Sequence, residues 1–224
     1  MMVTSGSGAP NTASIFTRSP SHATEPLSGS KLGLMQTPPV IEKLVATCQA
    51  ALDSDSPHQT IHAAMVELFA DPTALAAQIP HFTDDDVDTS PRGFRLGGEH
   101  IAHQTDDLTV MVLDTLPGVL QPPHDHSMNV VIGVFEGTEE QRFWARTDDG
   151  VAPAAGRSLE TGDVIPLGAR AIHAISAPAG QAARAIHVYL GNIYDVERSL
   201  FDPTTLEEHP FTGERYDEYC QANA

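Results

Sequence analysis

The chain has 224 residues, 30 of them acidic and only 12 Lys or Arg, for a formal net charge of −18. That length buries one sizeable core, and so acidic a balance excludes nucleic acid and anionic membrane as natural partners. No run approaches the roughly 18 apolar residues that span a bilayer. Two cysteines far apart in sequence, Cys48 and Cys220, supply no disulfide framework.

Residues 1–36 are dominated by Ser, Thr, Gly, Pro and Ala and predict a disordered or loosely docked arm. The arm has no apolar stretch of the kind a secretory signal needs, so the expected setting is cytoplasmic. Residues 37–224 read as a single domain. Thr37-Pro38-Pro39 predicts a capped helix start, and Val40, Ile41, Leu44, Val45, Cys48 and Leu52 repeat at helical spacing. Ser56-Pro57 opens a second helix with Ile61, Met65, Leu68 and Phe69 on one face. Asp71-Pro72 opens a short third with Leu75 and Ile79 buried. His58 and His62, at i and i+4, read as surface residues. The spacing thus predicts a helical subdomain over 37–80.

Beyond the acidic run Asp84-Asp85-Asp86 the pattern changes. Short segments rich in Val, Ile, Leu and aromatics fall at 93–101, 108–113, 129–135, 140–146, 171–177 and 183–190. Gly, Pro, Asp and Thr clusters separate them and no helices intervene, which predicts an antiparallel sandwich or barrel over 93–201. Residues 202–224 read as an irregular C-terminal tail. His100 and His103 precede a strand and read first as ordinary residues, an approach to a pocket mouth being the lesser alternative.

The densest chemistry lies in Gly118–Gly137. His124 and His126 stand at i and i+2, so a strand points both imidazoles to one face and turns Asp125 away. His173 lies downstream in a similar frame. Three neutral imidazoles suit a first-row divalent metal and leave its charge uncompensated, so open positions attract a thiolate, carboxylate or enolate. His187 and Tyr189 also share one strand face. A buried Tyr hydroxyl needs a partner in any case, so this pair reads equally as an ordinary core hydrogen bond. Arg198 reads either as an anion-binding group or as a surface partner of Asp195 or Glu197.

Gly118-x5-His124-x-His126-x3-Val130-x6-Gly137 resembles the first cupin motif, with Val130 where many cupins carry a metal-binding Glu. Gly162-Asp-Val-Ile-Pro166-Leu-Gly168-x4-His173 resembles the second, with Ala177 where Asn is frequent. Ala185-Ile-His187-Val-Tyr189, with Arg198 nine residues past the Tyr, is similar to the Ser-x-His-x-Tyr segment of the thiol dioxygenases, the cysteine and 3-mercaptopropionate dioxygenases. The likeness covers about residues 94–201.

It implies a mainly β fold, a cupin double-stranded β-helix or jelly-roll barrel with a small N-terminal helical subdomain. It also implies a non-heme iron dioxygenase that adds O2 to the sulfur of a small thiol to give a sulfinate. Fe(II), with zinc or nickel as substitutes the donors accept, would sit on His124, His126 and His173. Tyr189 would hydrogen-bond the bound thiol or its oxygen adduct, His187 would orient Tyr189, and Arg198 would pair with a substrate carboxylate. Two departures stand out. Ala185 replaces the motif Ser, and Val130 stands where mammalian-type enzymes carry a cross-linking Cys. Two other readings use the same histidines: cleavage of a dicarbonyl C–C bond, and metal or small-molecule binding without turnover.

Overall fold

The computed structural model describes residues 36–222, so the arm expected over 1–36 lies, apart from Gln36, outside the described residues. Three helices come first: α1 (Pro39–Ala51), α2 (Pro57–Leu68) and α3 (Pro72–Ala76). Each starts on a proline, whose fixed φ suits the first helical turn and whose missing N–H would lack a partner there anyway. Asp71 caps α3 by accepting from the Ala74 N–H at 3.0 Å. Thr37 does not cap α1; its hydroxyl bonds the His100 ring instead, at 3.1 Å.

The strands that follow are β1 (Val87–Thr89), β2 (Arg95–Gln104), β3 (Thr109–Thr115), β4 (Val119–Leu120), β5 (His124–Asp125), β6 (Val130–Glu136), β7 (Thr138–Thr147) and β8 (Gly150–Pro153). After them come β9 (Arg157–Glu160), β10 (Val164–Leu167), β11 (Ile172–Ser176), β12 (Ala183–Tyr189), β13 (Ser199–Phe201) and β14 (Glu208–Pro210). A short helix α4 (Gly213–Tyr219) and β15 (Gln221–Ala222) close the described chain.

These strands form two antiparallel sheets. One runs β1-β2-β3-β12-β6-β10; the other runs β14-β13-β5-β11-β4-β15, with β7 added on β11 and carrying β8 and β9. The central strands β3, β12 and β6 are apolar on both faces because both are covered. Val110, Val112, Val131, Phe135, Ile186 and Val188 face the helices and pack with Ile41, Leu44, Ile61, Met65 and Phe69. The alternate residues, among them Met111, Val130, Ile132, Val134, Ala185 and Tyr189, form the barrel interior. At about 1.5–3 kcal/mol per fully buried large apolar side chain, this double burial is the main force holding the helices to the sheet.

Two local devices fix that docking. Gly133 leaves a seat for Phe69; a Cβ there would lie 2.5 Å from the ring. Arg184, buried on the helix side, meets Glu136 at 2.9 Å and Asp114 at 3.3 Å, and donates to the carbonyls of Ile79 and Pro80 at 3.1 and 2.7 Å. It thereby ties the exit of α3 to β12.

The C-terminal stretch is not irregular as its sequence suggested. It forms β14, α4 and β15, with Thr212 capping α4 by accepting from the Arg215 N–H at 3.2 Å. Tyr216 and Cys220 bury against Val119 and Leu200 and close one end of the barrel.

Candidate metal centre

β5 is only two residues long, yet it is held on both sides, by β11 with His173 opposite His124 and by β13 with Leu200 opposite His124. Asp125 points away from the histidines. Its carboxylate accepts from Arg146 at 2.8 Å and from the Ser199 N–H at 2.9 Å, which pins the strand. The imidazoles of His124, His126 and His173 are thus turned to one point. The Nε2 atoms of His124 and His126 lie 3.2 Å apart, as do those of His126 and His173.

The outer nitrogens show which lone pairs face inward. His124 donates its Nδ1–H to the Pro122 carbonyl at 2.9 Å, and His173 donates its Nδ1–H to Gln141 Oε1 at 2.6 Å. Both rings therefore present bare Nε2 atoms to the centre. Burial depresses all three pKa values, that of His124 to about 4, with those of His126 and His173 well below the usual range. The two 3.2 Å separations, His124–His126 and His126–His173, match metal–nitrogen bonds of about 2.0–2.1 Å meeting at roughly 100°, and all three ligand atoms lie within 4.8 Å of one another. The donor set fits a divalent metal.

Behind His173 runs a chain of buried polar groups. Gln141 Nε2 donates to Glu139 at 2.6 Å, and Thr115 donates to the other Glu139 oxygen at 3.4 Å. Burial pushes the Glu139 carboxyl up to about 7, against the two hydrogen bonds that lower it. The chain fixes the amide orientation of Gln141 and, through it, the tautomer of His173.

The histidines open onto a cavity of about 720 Å³ whose walls include Tyr189, His187, Arg198, Glu99 and Tyr194. His187 Nδ1 and the Tyr189 hydroxyl lie 3.0 Å apart. Burial raises the Tyr189 pKa, so the hydroxyl keeps its proton, and lowers that of His187 to about 3, so the ring is neutral. His187 Nε2 is buried without a hydrogen-bond partner. Ala185, two residues before it on the same strand face, has no hydroxyl to offer.

Arg198 does not pair with Asp195 or Glu197. Its guanidinium lies over the Phe211 ring, 3.7 Å from Cζ to the centroid, and among the described residues it makes no ion pair. Burial lowers its pKa while Tyr189, Tyr194, Tyr216 and Glu99 favour its charge, and a guanidinium remains protonated. A half-buried, unpaired cation in a cavity is a ready anion site.

The structure thus brings all six sequence-derived site residues, His124, His126, His173, His187, Tyr189 and Arg198, to one cavity. His100 and His103 belong elsewhere. They pair with Val112 and Val110, face the helices, and contact Thr37 and Gln49. A register shift between Ile101 and His103 puts both on the same outer face despite their odd spacing. His58, read as a surface residue, is half-buried and donates to the Val130 carbonyl at 3.2 Å, linking α2 to β6. The sequence reading missed Glu139 and Gln141, whose signal was two polar residues at i and i+2 on a strand face shared with Phe143. It also missed Glu99.

Fold and site together define a cupin-type double-stranded β-helix with a three-histidine cluster at its centre. No protein-family model matches the chain. Among solved structures, it is similar to DMSP lyase DddQ from Ruegeria pomeroyi DSS-3, at 16% identity over 74% of this chain and 98% of that one, TM-score 0.45. It is also similar to an uncharacterized protein with a double-stranded β-helix domain from Klebsiella pneumoniae, at 17% identity over 55% and 93% of the two chains, TM-score 0.39. The match to an oxalate oxidase, at 17% identity and TM-score 0.34, covers 38% of this chain and spans less than half, 42%, of the other. Among the described residues no helix is long and apolar enough to cross a membrane.

Proposed function

We propose that this protein is a thiol dioxygenase, an Fe(II) enzyme that converts a small thiol carboxylate and O2 to a sulfinate. The observation that carries the reading is the convergence in one cavity of three neutral imidazoles, a protonated Tyr189 and an unpaired Arg198. His124, His126 and His173 would hold the metal. Bound there, iron would supply the redox chemistry by which both atoms of O2 are added to sulfur.

The chain's own residues account for the rest. Arg198, stacked on Phe211, takes the substrate carboxylate in its two-pronged fork. Tyr189 holds a proton at its hydroxyl and directs it into the cavity, and His187 Nδ1 fixes that direction. The partners are a thiol and O2.

The test is metal content of anaerobically purified protein, followed by oxygen uptake with 3-mercaptopropionate, cysteine and cysteamine. An equivalent of iron, thiol-dependent uptake and a sulfinate product are expected. Arg198→Gln should raise KM for the two carboxylates roughly 10- to 100-fold and leave cysteamine, which has no carboxylate, unaffected. Iron without uptake on any thiol overturns the reading. It would favour dicarbonyl cleavage or simple binding, neither of which gives Arg198 or the His187–Tyr189 pair a part.

A further inference from the structure

A second charge faces Arg198 inside the cavity. On β2, Glu99 pairs with Leu113 and Ile101 with Met111, and both partners face the barrel interior, so Glu99 points inward too. Its carboxylate accepts a hydrogen bond from the Tyr194 hydroxyl. Glu99 is exposed to the cavity, and the protein packed around its carboxyl raises its pKa; the Tyr194 bond and Arg198 oppose the rise, while Asp88 adds to it.

Glu99 and Arg198 feel one another's charge, yet they lie beyond ion-pair distance. A carboxylate and a guanidinium that share a cavity without meeting leave room for a ligand carrying both signs. The outer wall reinforces the negative side. Asp88, Glu214 and Asp217 line it, and Asp217 Oδ1 is buried without a partner. Arg198 is the one Lys or Arg among the residues that line the cavity. An anion with no positive group gains Arg198 but meets these carboxylates. Size points the same way. The cavity of about 720 Å³ falls within the roughly 300–1,000 Å³ that encloses drug-sized ligands, far more than a three-carbon thiol acid fills.

We infer that the cavity takes a zwitterion larger than the three-carbon thiols, a short peptide or comparably extended amino acid. Its ammonium sits on Glu99, oriented by Tyr194, and its carboxylate on Arg198. This rests on the assignment of Arg198 to a carboxylate in the proposed function, and on neither the thiol nor iron.

Binding to the full chain, loaded with zinc so that no turnover intervenes, tests it by calorimetry. The probes are glycylcysteine and N-acetylglycylcysteine, which lacks the ammonium, with glycylserine and N-acetylglycylserine, which lack the thiol. Acetylation should weaken binding to the wild type roughly 10- to 100-fold, the worth of a charge-assisted hydrogen bond. In Glu99→Gln the acetylated and free peptides should bind alike. Glu99→Asp, which keeps the charge and shortens the reach, should retain part of the discrimination; thermal melts confirm that each variant folds. Equal binding of the two peptides by the wild type overturns the inference and leaves Glu99 as a counter-ion to Arg198. Discrimination seen with glycylserine and its acetyl derivative, in a protein that oxidises no thiol, upholds the inference while the dioxygenase reading falls. Thiol oxidation without discrimination does the reverse.

Discussion

Glu139 offers a direct measurement of what the buried network behind His173 costs. Its carboxyl is 0% exposed, and burial lifts it from an ordinary 4.5 to about 7. A group whose pKa is raised on folding adds stability below its unfolded pKa. It loses that stability as pH rises through the folded one, because the folded state must then give up a proton it holds more tightly. A shift of that size is worth about 3 kcal/mol, of which about 2–3 kcal/mol appears between pH 5 and 8. Glu139→Gln keeps the shape and cannot ionise. Urea unfolding of both proteins with EDTA, at pH 5, 6, 7 and 8, should show the variant gaining on the wild type by that amount as pH rises. The histidines titrate alike in both proteins and cancel in the difference. A difference that stays flat from pH 5 to 8 would refute the reasoning. Gln141 and Thr115 would then compensate the burial in full, and Glu139 would be ionised throughout.

Gly133→Ala should destabilise by about 1–3 kcal/mol, because its Cβ would lie 2.5 Å from the Phe69 ring. In the Phe69→Leu background the same change should cost measurably less by thermal melting. Ala185→Ser should stabilise by about 1 kcal/mol by supplying a partner to His187 Nε2. An unchanged melting temperature, with an unchanged ¹⁵N shift of that ring nitrogen, would show that the orphan lies elsewhere than the Ala185 edge.

The ligands were legible because their signal is local. Two histidines at i and i+2 next to an apolar run share a face wherever a strand forms, and Asp125 between them turns outward for the same reason. The helices were legible from proline starts and spaced apolar residues. The failures come from long-range features. The expected strand over 140–146 begins two residues late, which left Glu139 outside it and hid the face it shares with Gln141. That His100 and His103 share a face was not legible, because alternation cannot be counted across a bulge the sequence does not mark. α4 and its flanking strands are too short for a periodic signal and exist because β4 and β13 give them something to pair with or bury against. Arg198 carries one of two meanings in the sequence, and only the position of Phe211 separates them.

The third histidine reaches the other two across a ladder between segments nearly fifty residues apart, His173 opposite His124. An unfolded or half-closed chain offers an ion at most the local His124–His126 pair, whereas the closed barrel offers three donors. Whatever affinity the complete site has above that of the pair is, by linkage, free energy that holds β5 and β11 together. A bound metal would then act as a mechanical clasp on the barrel as well as a reagent within it. Its loss would first be felt as breathing of that two-residue strand.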